Sequence, residues 1–538
     1  MSNDGTGSNF TPRDNLDNYD HSSDDLASDV SAGRTRLLGT FAGIGNNCNN
    51  MIGAGIFASP GLVLNEIQSP GIALILWTVG GIVTLFGSLS YVELGSSKPD
   101  GGGETVYLEQ AYPHPKALFS YMFSFAMIVV IQPAYMSAIA NVFAQYFLYL
   151  VKAKGRCDID YLHPKEYIAD WKFWQLRLCS LAAVVIITTY HILSNKWANH
   201  INQTFTIIKM ATLLTISIIG LATIPQLIND ENTNWKNMFP NNRNISAHSL
   251  TAAFIPILFS YGGWNNLNYT LDEFVNPREK LFLSNNFCAN IAYTNVPLSK
   301  ITDNNEPSEI IASQLAFQVG GFNLARTLSF FVCLSAFGAL AANIWAGSRV
   351  IVAAAKRKYM PFSSWFQKWN PDTDTPIFAL ITQGVLSSLI IIFFPDNDPF
   401  VFFVSLGEYC IWIFLFLSAL GLLFLRYSEP NLDRPFKVFI LIPVLFIMFT
   451  LFIIIGSFVN DSSIQEQQQL EQPKTPKDDQ LCESYKGHKY AAYKYYLPYV
   501  LSFVVIGVGA ICWYFLYHIK FEIRTTFNRR NVEVTENN

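Results

Sequence analysis

Gly53-Ala54-Gly55-Ile56-Phe57-Ala58-Ser59-Pro60 interrupts the first long apolar stretch of the chain, residues 37–63. A membrane-spanning helix needs about 20 mostly apolar residues, because the bilayer core holds no water to satisfy open backbone groups. Glycines and a proline inside such a stretch release N–H and C=O groups, and irregular backbone at that depth is tolerated only where it lines a cavity or is buried in protein. A second stretch, 250–271, is interrupted by Phe259-Ser260-Tyr261-Gly262-Gly263-Trp264-Asn265. Taken singly, either set of glycines could equally serve close helix packing. Taken together, five spans apart, they are what an inverted repeat predicts, with span 1 matched by span 6. A broken helix aims a half-helix N-terminus into the gap, where it suits a carboxylate, while freed carbonyls suit an ammonium group.

The rest of the chain fits that frame. Of 538 residues, 51% are hydrophobic and only 14% are charged, against about 25% charged in an ordinary soluble domain. The net charge of −4 excludes a bulk nucleic-acid binder, which shows a basic excess. Twelve candidate spans are expected at about 37–63, 71–95, 117–150, 173–193, 200–224, 250–271, 281–296, 320–355, 376–394, 399–425, 436–459 and 495–518. The seventh, Leu281 to Val296, is short and carries Asn285, Asn286 and Asn290. With the N-terminus inside, Lys356, Arg357, Lys358, Arg434, Lys437, Arg529 and Arg530 all fall on the cytoplasmic side, as the positive-inside rule requires. Dropping span 7 would turn those same residues outward. Residues 1–36 form a polar tail expected to be disordered, 37–518 the membrane domain and 519–538 a cytoplasmic C-terminal tail.

Few side chains point to chemistry. Lys209 lies about nine residues into span 5, where a cation costs roughly 2.5–3.5 kcal/mol and calls for a carbonyl, a carboxylate or water. Glu408 in span 10 is a second ionisable group at membrane depth. Glu93, at the inner end of span 2, reads at least as well as an exposed interfacial residue, and Arg349 in span 8 as a structural one. Phe259, Trp264 and Trp412 stand out by lying in or across from the breaks, and Gln132 and Tyr135 flank Pro133 in span 3 as candidate pocket groups. Cys157 and Cys482 fall in long outer loops, as does the sequon at Asn244. The eight His are scattered, with no metal or nucleophile constellation, so neither a cofactor nor an enzyme is expected.

Several of these strings resemble the amino acid–polyamine–organocation superfamily, in its L-type amino acid transporter branch. The likeness is carried by Gly53 to Pro60, by Asp100-Gly101-Gly102-Gly103-Glu104-Thr105-Val106-Tyr107-Leu108, and by Phe259 to Asn266 with Glu273 and Asn276-Pro277-Arg278. Ser348-Arg349, Thr375-Pro376, Arg426 and Arg434-Pro435-Phe436-Lys437 extend it over about 37–440, and the long loop before span 12 is similar to that of fungal methionine permeases. The resemblance implies an all-α, leucine-transporter-like fold: a 5+5 inverted repeat with two extra helices, about 12 spans in all. It implies alternating access. The substrate carboxylate would meet backbone N–H groups near Ala54 and Gly55 in the unwound segment Met51-Ile52-Gly53-Ala54-Gly55, and the ammonium would meet carbonyls near Met51, Phe259 and Gly262. Phe259 would gate the site, Trp412 would line the side-chain pocket, and Lys209 would occupy the place of a sodium ion, favouring proton coupling or exchange over sodium symport.

Two departures stand out. Ala54 replaces a serine found in many relatives, which removes a hydroxyl contact, and the apolar run expected between Lys280 and Ala289 is nearly absent. The expected function is secondary transport of neutral L-amino acids, methionine or another bulky apolar one, across the plasma membrane. Alternatives are a non-transporting receptor on the same fold and a permease for cationic amino acids or polyamines. No obligatory protein partner is expected; the loop 3–4 cysteine that joins metazoan relatives to a glycoprotein has a positional counterpart in Cys157, in surroundings that do not match.

Overall fold

A computed structural model describes residues 49, 51–97, 100–152, 170–227, 238–240, 245–266, 268–269, 311–393, 399–459 and 492–516. Expected span 7, both tails, Asn244, Cys157 and Cys482 lie outside the described residues.

The regular elements among the described residues are helices, apart from an isolated bridge between Asn370 and Thr375. In chain order the helices are α1 (Gly55–Ile67), α2 (Pro70–Ser97), α3 (Glu104–Ala111), α4 (Leu118–Ala126), α5 (Gln132–Lys152), α6 (Asp170–Leu193), α7 (Asn195–Leu227), α8 (Ala247–Tyr261), α9 (Ile311–Lys356), α10 (Ser363–Phe366), α11 (Ile377–Phe393), α12 (Pro399–Ser428), α13 (Leu441–Gly456) and α14 (Ala492–Tyr514). Seven of the resulting rods are long and apolar enough to cross a bilayer, and α8, α11 and α13 are shorter apolar helices. The chain is therefore an all-α, multi-pass integral membrane protein.

Local chemistry explains several boundaries. Ser246 caps α8 by accepting the Ser249 N–H at 3.1 Å. Between α4 and α5 the chain widens into a π turn, Met127–Ile131, closed by the Gln132 N–H donating to the Met127 carbonyl. Pro133 follows at once; it has no N–H and its ring crowds the carbonyl four residues back, so a locally wider turn relieves both problems. Span 8 runs close to expectation, Val319–Lys356, and a kink at Gly321, φ 69°, sets its main rod apart from the helical stretch that begins at Ile311. Span 11 is shorter than expected, because the chain before Leu441 is pinned in a non-helical form by Glu93.

Packing places α5, α9 and α12 at the centre. α9 packs on α5 and α7, α12 on α5, α13 and α14, and the two interrupted spans meet directly as α1 against α8. Apolar side chains left open, such as Val185, Ile207, Leu214, Leu389, Met448 and Val504, lie on outer helices. That is the side on which a bilayer supplies the apolar solvent.

Candidate functional site

The break in span 1 runs over Ile52–Ala54, and α1 restarts at Gly55. Ala54 stands at the N-cap with no side-chain cap, its carbonyl accepting the Phe57 and Ala58 N–H groups at 3.2 and 3.1 Å. The N–H groups of the residues before Phe57 have no partner within the helix ladder, and the helix dipole puts its positive end there. Gly55 is sterically required. A Cβ on it would stand 2.7 Å from the Cα of Ser260 and 3.1 Å from the Phe259 ring, so α1 approaches α8 backbone to backbone.

The break in span 6 begins at Gly262, whose N–H returns to the Phe259 carbonyl at 3.0 Å. Gly263 then adopts φ 92°, a conformation that residues with a Cβ rarely take. The irregular chain beyond is held by side chains of α3 and α2. Asn265 Nδ2 donates to Glu104 Oε1 at 2.7 Å, the Tyr91 hydroxyl donates to the same oxygen at 3.1 Å, and the Tyr107 hydroxyl donates to Asn268 Oδ1 at 2.8 Å. The Gly103 N–H donates to the Asn268 carbonyl at 3.0 Å. Glu104 is fully buried, and its second oxygen has no hydrogen-bond partner among the described residues.

Between the two breaks lies a cavity of about 700 Å³ of atom-free space, its open mouth included. Met51, Gly53, Ala54 and Gly55 line one side, and Phe259, Gly262, Gly263, Asn265 and Asn266 another. The remainder comes from the centre of the bundle: Gln132 and Tyr135 beyond the π turn, Asn343 of α9, and Glu408, Ile411 and Trp412 of α12. Phe259 packs against Tyr135 and Phe400 at 5.7 Å each. Glu408 accepts the Tyr135 hydroxyl on Oε1 at 2.8 Å and Trp412 Nε1 on Oε2 at 2.7 Å.

Two helices broken at matching positions around one cavity, in a multi-pass membrane protein, define a narrow class. The amino acid permease profile matches residues 37–470, most of the chain. The chain belongs to the amino acid permease family. It is 30% identical over 439 residues to the human cystine/glutamate transporter, covering 79% of this chain and 81% of that protein. It is also 30% identical over 437 residues to the mouse large neutral amino acids transporter small subunit 2, covering 78% and 76%. To the mouse b(0,+)-type amino acid transporter 1 it is 29% identical over 439 residues, covering 79% and 83%.

In this permease the residues singled out in the sequence come together unevenly. Met51, Gly53, Ala54, Gly55, Phe259, Gly262 and Trp412 share the cavity wall, as do Gln132, Tyr135, Trp264 and Glu408. Ile52 belongs instead to the apolar core, 1% exposed and absent from the wall. Lys209 is fully buried and stands behind span 1, its Nζ donating to the Asn49 carbonyl at 2.7 Å; Asn49 Nδ2 in turn donates to the Gly338 carbonyl at 3.1 Å. The ammonium thus ties the chain just before the first break to α7, and through Asn49 to α9.

Glu93 corrects its expectation. It is fully buried, takes Arg426 Nε at 2.9 Å and Arg426 Nη2, and accepts the Val438 N–H at 2.8 Å. Arg349 is structural as expected, lying over the Trp345 ring at 4.3 Å and donating to Asn195 Oδ1 at 3.2 Å. Sequence reasoning passed over Asn343 and the role of Glu104. A carboxylate set against three glycines and an apolar run was the available signal for Glu104; a lone Asn inside α9 offered none.

Proposed function

We propose that this chain is a secondary active transporter that moves neutral L-amino acids, methionine or another bulky apolar one, by alternating access and with protons as the coupling ion. The observation that carries the reading is the single cavity shared by the uncapped start of α1 and the broken end of α8. A zwitterionic headgroup fits that pairing: the carboxylate at the N–H groups near Ala54 and Gly55, the ammonium at carbonyls near Met51, Phe259 and Gly262. Phe259, Ile411 and Trp412 leave an apolar, aromatic wall for the side chain, a surface on which a thioether packs well. Phe259 is the residue placed to close the site. Lys209 supports protons over sodium, since a fixed ammonium already holds the carbonyl behind the span 1 break.

The relatives' names support amino acids as the cargo class and disagree on which ones, so the side-chain wall of this chain is the better guide. One relative is named a small subunit; for this chain we propose activity without an obligatory partner, at the plasma membrane.

The test is uptake of labelled L-methionine by cells expressing the full chain at pH 5 and 7.5, with and without a protonophore and against unlabelled amino acids. Saturable uptake that the protonophore collapses is expected. Surface-exposed protein with no uptake of any amino acid would overturn the reading.

A further inference from the structure

The cavity carries one fixed charge. Glu408 is the sole acidic residue on its described wall, and no Lys, Arg or His stands there with it. None of the ion pairs among the described residues includes Glu408; they join Arg357 to Glu109 and Arg426 and Arg434 to Glu93. The carboxylate is 3% exposed, so an ionised Glu408 is removed from water with no cation among the described residues in return. A zwitterionic amino acid brings no net charge and cannot correct that imbalance, and an uncompensated buried charge costs several kcal/mol.

The two partners of Glu408 differ in a way that matters. Trp412 Nε1 can only donate, whereas the Tyr135 hydroxyl can donate to a carboxylate or accept from a carboxylic acid. Turning that hydroxyl is enough to let Oε1 carry a proton without repacking the helix.

We propose that Glu408 sets the charge of the cargo: the closed pocket takes a zwitterionic amino acid together with one further positive charge, supplied either by a basic side chain or by a proton on Glu408. With a neutral amino acid, a proton from the aqueous side forms an O–H bond at Oε1, Tyr135 switches from donor to acceptor, and the proton leaves to the opposite side with the substrate. With a basic amino acid, the cationic side chain pairs with the ionised carboxylate and no proton is needed. This inference rests on the reading of the cavity as the amino acid site.

Other titratable groups are accounted for. Tyr135 on α5 donates to the carboxylate and Cys410 on α12 neighbours that tyrosine; Tyr269, on the same wall, accepts the Asn265 amide at 2.9 Å, and Glu104 of α3 is engaged by Tyr91 and Asn265. Glu93 of α2 is taken by Arg426, Tyr261 of α8 donates to the Trp77 carbonyl, and Tyr499 of α14 lies against Tyr409. The π turn and α13 contain no ionisable side chain, and Glu66 sits in the last turn of α1.

The experiment measures binding of labelled L-methionine and L-lysine to the purified full-length protein from pH 5 to 8. Methionine affinity is expected to rise as pH falls, approaching tenfold per pH unit where one proton is taken up with the ligand, while lysine affinity gains nothing from acid. Glu408→Gln is expected to bind methionine with no pH slope and to lose lysine binding by tenfold or more. Glu408→Asp keeps the charge and is expected to keep the slope, which serves if the glutamine variant does not fold. A flat methionine profile in the native protein, or a slope that survives Glu408→Gln, would overturn the proposal while leaving the transporter reading intact. Native protein that binds neither amino acid would overturn both.

Discussion

The two breaks around the cavity are held open by different means. Span 6 unwinds over several residues, and a net of side chains grips it: Glu104 and Tyr269 accept the Asn265 amide, Tyr107 holds Asn268, and the Gly103 backbone adds a further bond. Span 1 breaks over three residues, and the chain just before it is held from behind at Asn49, whose carbonyl takes the Lys209 ammonium and whose amide donates to the Gly338 carbonyl. Ala54 offers no side-chain oxygen to the N–H groups that follow it. Side chains grip the span 6 break, whereas the helix that restarts after the span 1 break has no side-chain cap.

The comparison can be broken by substitution. Glu104→Ala should have the largest effect, because it leaves the Tyr91 hydroxyl and the Asn265 amide as buried donors without that acceptor. At about 1–3 kcal/mol for each stranded group, thermal unfolding of the purified protein should fall by many degrees and uptake should vanish with it. Lys209→Ala should cost about 1.5–3 kcal/mol, the range for a hydrogen bond to a charged group, and show mainly as lost uptake and altered pH dependence. A stability loss equal to that of Glu104→Ala would erase the distinction between the breaks.

Two further changes sharpen it. Gly55→Ala drives a methyl into the Ser260 backbone and should weaken methionine binding by about 1–3 kcal/mol, roughly tenfold or more, with little change in expression. Gly263→Ala should be the mildest, about 1 kcal/mol from the strain of φ 92°, seen as a small fall in melting temperature. An order reversed between these two would mean that backbone conformation, and not close approach, limits the site.

Much of this was legible in the sequence because bilayer physics is strict. Apolar runs of spanning length gave eleven of the twelve expected spans a described helix, and the paired glycine breaks located the cavity. Helix ends were less legible where distant side chains set them. Nothing local to Arg434-Pro435-Phe436-Lys437 says that Glu93, more than 300 residues earlier, will take the Val438 N–H and delay α13. Likewise Ile52 and Gly53 are neighbours in one unwound segment, yet one faces the core and the other the cavity, a distinction irregular backbone does not announce. Asn343 went unnoticed for a related reason: helical spacing places it on a face but does not say what that face meets.

The π turn at Met127–Ile131 has a consequence for how such a wall can be adjusted. A single added residue in a helix turns everything beyond it by about 100° about the axis, since each residue of an α-helix occupies that angle. Gln132 and Tyr135 lie just beyond the turn and both face the cavity. Deleting one residue from the turn would swing them to another side of the helix and present different neighbours in their place. Chain length at one point thus acts as a rotary setting for the pocket, a way to change what cargo meets without altering any residue that meets it.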